Sequence, residues 1–352
     1  MRFRFAPLLM LLLPGFVLAA DTLQVWNWND YIPEQVLSDF EKSTGIKVEY
    51  HTFSTSEELN QALNNGTPID VAVPSHDQLP SLAKAGRLQP LNVDQLPNRR
   101  HLDRSLLSKL AAFDANNRYA IPYLWGMAGL AVNVPQAEAA LGGPIPHSWS
   151  LLFDPQQSAK LASCGIALID APEETFAALM AYQGRSLAHS TPIQLQRASK
   201  LLDSLRPNLR YVDSERYIDD LNSGKLCLAL VWSGDAAAAS QAGQPVQFIV
   251  PQEGTALFID TLVIPSGAPR PDLAHRFIDY LMQPEVAALV SNEMLYPNGN
   301  QAAAALIAAD LRDNPALYPD RQTKRRLTAL PALPEKLKAA LDPLWNQFTQ
   351  TP

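Results

Sequence analysis

The chain has 352 residues, 47% hydrophobic and 18% charged, the values of a globular protein, which exclude wholesale disorder and a coiled coil. Lys+Arg number 28 against Asp+Glu 35, and the net charge of −7 argues against a nucleic-acid partner and suits a cationic ligand. The length accommodates two average domains or one large one.

Residues 1–20 read as a secretory signal peptide. Arg2 and Arg4 form the basic start, Phe5 to Val17 is nearly all apolar, and Val17-Leu18-Ala19 or Leu18-Ala19-Ala20 offers small residues at the cut. The apolar run is about 13 residues, short of the ~20 that span a membrane, and no Cys follows it for lipid attachment. The mature chain is expected in the periplasm without membrane insertion, with a charge of 26 − 35 = −9 once Arg2 and Arg4 are gone.

Thr22 to Trp28 alternates apolar and polar residues and predicts a strand. Pro33 opens a helix with Val36, Leu37 and Phe40 on its apolar face, and Gly45 stops it. Ile46 to Phe53 returns as a strand. Ser54 with Glu57 and Thr55 with Glu58 form two overlapping capping boxes for a helix ending near Gly66. Ile69 to Val73 is a short buried strand, followed by a helix from Leu79 to Ala85. Strand and helix alternate, which indicates a parallel α/β sheet.

A second unit begins after Tyr123. Strands are predicted at Gly129–Val134, Gly165–Ile169, Leu226–Trp232, Val246–Val250 and Leu257–Ile264. Helices are predicted at Thr175–Gln183, Pro192–Ser204, near Asp272–Met282 and at Pro284–Met294, with a helix-prone, Pro-rich stretch from Asn300 on. There is no low-complexity linker, so two lobes would be joined by strands crossing between them. Cys164 and Cys227 are the only cysteines, and in an oxidising compartment they are expected to form one disulfide. Closing that loop is worth about 4 kcal/mol in the chain-entropy model.

Polar and aromatic residues cluster just past the strand ends. They are Trp28-Asn29-Asp30-Tyr31, Ser75-His76-Asp77, Trp125, and Trp232-Ser233-Gly234-Asp235, with Phe258 and Asp260 in a late strand. Ligands of open α/β sheets bind outside the carboxyl ends of strands. Aromatic faces beside carboxylates suit an organic cation, each ring contact contributing roughly 0.5–2 kcal/mol. Glu173 and Glu174 follow Pro172 at a helix start; the helix dipole accounts for Glu173 and leaves Glu174 open. Asp77 either adds an acid at the cleft mouth or caps the helix from Leu79. Enzyme signals are weak. No two His fall at i, i+4, the phosphate and dinucleotide loops are missing, and Ser81-Leu82-Ala83-Lys84 lacks the partner motifs of a serine acylase. No catalytic residue, metal site or cofactor is expected.

The segments NWNDYI (27–32), FEKSTGIKV (40–48), VPS (73–75), SCGIALIDAPEE (163–174), VWSGDA (231–236) and LYPNGNQAA (295–303) together resemble the periplasmic polyamine (putrescine/spermidine)-binding proteins of ABC importers. The resemblance spans nearly the whole mature chain. It implies a two-lobed α/β type II periplasmic-binding-protein fold with crossover strands and a ligand cleft between the lobes. Lobe 1 is expected over 21–122 plus about 246–292, and lobe 2 over about 123–245 plus about 293–352. It implies capture of a linear polyamine and delivery to an ABC permease by a monomer, with no catalysis. The family's clamp falls on Trp28, Asn29, Asp30, Tyr31, Ser75, Glu174, Trp232, Asp235, Phe258, Asp260 and Tyr296. Trp28, Trp232, Phe258 and Tyr296 would line the methylene chain. Asp30, Glu174, Asp235 and Asp260 would hold the amines, and Tyr31 and Ser75 would add hydroxyl acceptors. The Cys164–Cys227 disulfide fits the same family, in lobe 2. Asn29 stands where the family more often has Ser or Thr, and His76-Asp77-Gln78 and Trp125-Gly126-Met127 also depart from its pattern. These departures bear on which amine is preferred and leave the clamp in place. An amine-sensing protein that reports to a membrane receptor would have the same pocket, and a non-polyamine cation-binding protein of this fold is the other alternative.

Overall fold

The computed structural model describes residues 21–350 apart from Ala242 and Gln244. The expected signal peptide, 1–20, lies outside the described residues. Ten strands form one sheet: β1 (Thr22–Trp28), β2 (Lys47–Phe53), β3 (Val71–Ala72), β4 (Ala120–Asn133), β5 (Ile166–Leu168), β6 (Leu209–Val212), β7 (Leu228–Trp232), β8 (Val246–Ile249), β9 (Thr255–Val263) and β10 (Leu327–Ala329). Their order is β2-β1-β3-β9-β4-β7-β5-β6, with β10 beside β9 and β8 beside β4.

Parallel pairing holds at both ends of the sheet, where β1 joins β2 and β3 and where β5 joins β6 and β7. This is the arrangement that strand–helix alternation predicts. The centre differs. β9 runs antiparallel to β3 and β4, and β4 runs antiparallel to β7 and β8. β4 is the long crossing strand: Ala120–Met127 pairs with β9, and Ala128–Asn133 pairs with β7 or β8. The sequence predicts only its second half. Pro122 obscures the first half, and the ladder is irregular between Pro122 and Trp125.

Local signals account for several elements. The helix Glu34–Thr44 follows Pro33 and ends at Gly45 in the left-handed region (φ 73°), its N–H bonded to the Glu41 carbonyl. Val36 and Phe40 are its buried face, and Phe40 meets Phe277 edge-on at 5.0 Å. The helix Ser56–Asn64 is capped by Thr55, which accepts from the Glu58 N–H at 3.3 Å, while the Glu58 carboxylate accepts from the Ser54 N–H at 2.8 Å. One box therefore forms, shifted by a residue. The Ser54 hydroxyl accepts from the Asn29 side chain at 2.7 Å instead of closing a second.

Burial divides the apolar interior. One core gathers β5, β7, β8 and the second half of β4, together with Leu337, Leu341, Trp345 and Phe348 of the C-terminal helix Glu335–Gln350. Two others flank β1, β3 and the first half of β4, with Phe277 and Ile278 of the helix Pro271–Leu281. Cys164 and Cys227 are bonded, with Cα atoms 5.5 Å apart. They precede β5 and β7, so the bridge ties the starts of two adjacent parallel strands. Among the described residues no helix is long and apolar enough to cross a membrane.

Candidate functional site

The site grows from β9. Its strand alternation buries Asp260, which is only 5% exposed, and places Phe258 two residues earlier on the same face. Asp260 pairs by a bridge with Ser75, just past β3. The Ser75 hydroxyl donates to Asp260 Oδ1, and the Tyr31 hydroxyl donates to Oδ2 at 2.7 Å. Tyr31 and Ser75 are thus donors to a carboxylate, and the lone pairs of both hydroxyls are still able to accept from an amine. Burial pushes Asp260 up to about 6, with the two hydroxyl bonds opposing it and Asp77 adding to the rise. Tyr31 is pushed well above its usual range, first by burial and then by Asp260, so it stays a neutral donor.

Asp235 is the second carboxylate, in the first turn of the helix Ser233–Gln241 that follows β7. The Tyr217 hydroxyl donates to its Oδ2, and the Tyr296 hydroxyl donates to its Oδ1 at 3.4 Å. Burial raises Asp235 to about 6 against these two bonds. Each carboxylate therefore has an O–H donor on each of its two oxygens. The ion pairs seen among the described residues, Lys42–Asp39, Arg216–Asp220, Lys225–Asp220, Arg270–Asp21 and Arg312–Asp313, leave both out.

A row of rings joins the two acids. Trp232 meets Phe258 at 5.2 Å, Phe258 meets Tyr296 at 5.9 Å, and Tyr296 meets Tyr31 at 5.7 Å, all edge-on. Two glycines permit this. A Cβ on Gly126 would lie 2.6 Å from the Phe258 ring, and one on Gly234 would lie 2.4 Å from the Tyr296 ring. The departure at Gly126 in the expected motif is thus a seat for Phe258. Trp125 faces the other way, against Leu106, Leu257 and Leu327, and its indole N–H donates to the Asn298 carbonyl at 3.3 Å.

A third acidic group lies at the start of the helix Pro172–Tyr182. Glu173 and Glu174 are both raised to about 7, by burial first. Asp77 repels both, Glu173 and Glu174 repel each other, and Lys338 partly offsets the repulsion at Glu173. Asp77 itself is raised by burial, opposed by its own and the Gln78 backbone N–H and by Lys338. The helix Leu79–Lys84 has Gln78 at its N-cap and no side-chain cap bond, so the capping alternative for Asp77 is not realised. His76 is buried and lowered to about 4 by burial; its Nδ1 accepts from the Ile259 N–H at 3.3 Å, fixing the β9 backbone next to Asp260.

The structure thus brings together Tyr31, Ser75, Trp232, Asp235, Phe258, Asp260 and Tyr296. Glu174 and Asp77 form an adjoining acidic group. Trp28 lies at the end of β1, its ring against Phe53 at 4.6 Å and its indole N–H buried without a hydrogen-bond partner. Asn29 and Asp30 are exposed. Asn29 binds Ser54, and Asp30 sits at φ 48° in the turn after β1. Tyr217 and Tyr123 are the residues that sequence reasoning missed. The Tyr123 hydroxyl donates to the Tyr31 carbonyl at 2.7 Å.

Comparison with known proteins gives a consistent set of relatives. A family model described as bacterial extracellular solute-binding protein matches residues 35–319. The chain is 38% identical over 336 residues to the putrescine-binding periplasmic protein of Escherichia coli (strain K12), covering 93% of this chain and 90% of that one. It is 33% identical over 305 residues to the spermidine/putrescine-binding periplasmic protein of Salmonella typhimurium, covering 86% and 84%. Among solved structures, the spermidine/putrescine ABC transporter substrate-binding protein of Streptococcus pneumoniae aligns with a TM-score of 0.81 at 26% identity, covering 93% of this chain and 98% of that one. The architecture is the two-lobed α/β fold of the type II periplasmic binding proteins.

Proposed function

The chain belongs to the bacterial extracellular solute-binding protein family, and from that premise we propose that it captures a linear polyamine in the periplasm and delivers it to an ABC permease. One observation carries this reading: Asp260 is buried and Asp235 half-buried, both lie outside the observed ion pairs, and a row of aromatic rings joins them. A carboxylate withdrawn from water without a cationic partner is costly, and two of them, one buried and one half-buried, ask for a dication. Rings between the acids suit the methylene chain that separates two ammonium groups. The relatives' names, putrescine- and spermidine-binding, support the same ligand class.

In this reading Trp28, Trp232, Phe258 and Tyr296 line the alkyl chain, Asp235 and Asp260 hold amines, and Tyr31 and Ser75 orient Asp260. Glu174 with Asp77 would meet the outer end of a longer amine, and Asn29 and Asp30 would approach only on closure. The protein works as a monomer after signal-peptide removal and performs no catalytic step. Each lobe is built from two chain segments. Core packing supports two changes to the expected bounds: β8 goes with lobe 2, because it pairs with β4 and its Val246 and Ile249 pack in the core around β5 and β7, and Tyr296 goes with lobe 1, because it packs against the core around β1.

Titration calorimetry with putrescine, cadaverine, spermidine, spermine and agmatine tests the reading. At least one should bind, while amino acids, sugars and dicarboxylates should not. Saturating ligand should also shrink the radius of gyration in solution scattering. Binding of a neutral or anionic solute with no response to any amine would overturn it.

A further inference from the structure

Asp235 is addressed from two sides that belong to different parts of the molecule. Tyr296 packs against the core around β1, whereas Tyr217 is fully buried in the core that surrounds β7. Tyr217 lies in the helix Arg216–Asn222, and Asp235 lies in the helix Ser233–Gln241 packed beside it. Arg216, the residue before Tyr217, is ion-paired to Asp220 and stacks on the Tyr211 ring at 4.3 Å, so the start of this short helix is fixed. Tyr217 is therefore the donor that accompanies Asp235 when the lobes move, while Tyr296 approaches from the other side.

We propose that Tyr217 is a positioning residue for the ligand carboxylate: its hydroxyl holds Asp235 ionised and in one orientation, ready to receive an ammonium group. This rests on the reading of Asp235 as an amine ligand. A carboxylate oxygen that accepts an O–H bond is fixed in rotamer and stabilised in its charged form. The titratable groups facing Asp235 are Tyr217 and Tyr296, with Asp260 beyond Tyr296. Tyr217 itself is pushed well above its usual range, by burial first and then by Asp235, so it remains a protonated donor at all working pH values. Without it, Asp235 takes up a proton more readily, and an incoming amine must first displace that proton.

Tyr217→Phe removes the hydroxyl and keeps the ring. In ligand-free protein, carboxyl-selective carbon NMR should show the Asp235 midpoint rising by about one to two units, the scale of one hydrogen bond to a charged group. Amine affinity should fall about fivefold more at pH 6 than at pH 8, as a one-unit rise from about 6 requires. In an Asp235→Asn background, Tyr217→Phe should no longer change the pH profile. An unchanged Asp235 midpoint, or an affinity loss equal at both pH values, would overturn the proposal. If Tyr217→Phe does not fold, the wild type decides. A solvent-protected, downfield hydroxyl proton that vanishes in Asp235→Asn is expected, and its absence refutes the contact. Failure of every amine to bind would sink the proposed function, while the Asp235 midpoint would still judge Tyr217.

Discussion

Asp260→Asn should separate binding from stability. The carboxyl is raised from 3.8 to about 6, chiefly by burial, which corresponds to about 3 kcal/mol against the ionised form in the folded, ligand-free protein. The folded state holds the Asp260 proton more tightly than the unfolded chain does. Its contribution is therefore favourable below the unfolded value and is lost as pH rises from about 4 through about 6. At pH 7.5 the full penalty applies, and Asn removes it while keeping the shape. The Ser75 and Tyr31 hydroxyls can rotate to accept from the amide as well as donate to it. Urea melts of the ligand-free variant should show a stability equal to wild type or higher by up to about 3 kcal/mol at pH 7.5, with no gain at pH 4. Amine binding should weaken by about 2 kcal/mol or more, some 30-fold, as one member of a buried charged pair is lost. Calorimetry with the tightest polyamine measures it. A variant that binds within twofold of wild type, or that is destabilised by more than about 1 kcal/mol at pH 7.5, would refute this account of Asp260.

Three further outcomes are expected. Gly234→Ala would press a methyl into the Tyr296 ring; the helix gain of about 1 kcal/mol should be outweighed, and amine affinity should drop about tenfold by calorimetry, whereas unchanged affinity would contradict the seat proposed for Tyr296. With Asp235 and Asp260 raised to about 6 and Glu173 and Glu174 to about 7, the ligand-free protein carries protons that a dication displaces. Affinity should therefore fall between pH 8 and 5.5, and calorimetry at pH 6.5 in buffers of different ionisation heat should show proton release; a flat profile would count against these assignments. Reduction of Cys164–Cys227 should lower stability by up to about 4 kcal/mol in urea melts, real values often being smaller, and non-reduced mass spectrometry should find no free thiol; identical melts with and without reductant would argue against a structural role for the bridge.

Much of the fold is legible because it is written in local chemistry. The alternation of Thr22–Trp28, the Pro33 and Gly45 boundaries and the Thr55 cap are short-range signals, and each corresponds to an observed element boundary within a residue or two. β4 is half hidden because it is buried on both faces, which removes alternation, and because Pro122 sits inside it. The carboxylates and rings just past strand ends point to the cleft, since a strand's end fixes where its next residues go. Tyr217 does not, because its i, i+4 spacing to Leu221 marks it only as part of a helix's core face, and its partner Asp235 is reached only through the packing of two helices. Asn29 and Asp30 share a motif with Tyr31 yet face solvent, because the turn after β1 reverses direction within one residue.

β9 also governs when the molecule can close during synthesis. The strand between β3 and β4 comes from residues 255–263, and its pairing of Ala72 with Val263 joins points about 190 residues apart. Until the ribosome has passed that stretch, β1, β2 and β3 have no partner to connect them to β4. At ~5–20 residues per second the interval between β3 and the end of β9 is roughly 10 to 40 s. Throughout it β1, β2 and β3 can pair only with one another, and the side of β3 that β9 covers stays open. Late delivery of one central strand thus defers folding by connectivity alone, as costly long-range closure does in general.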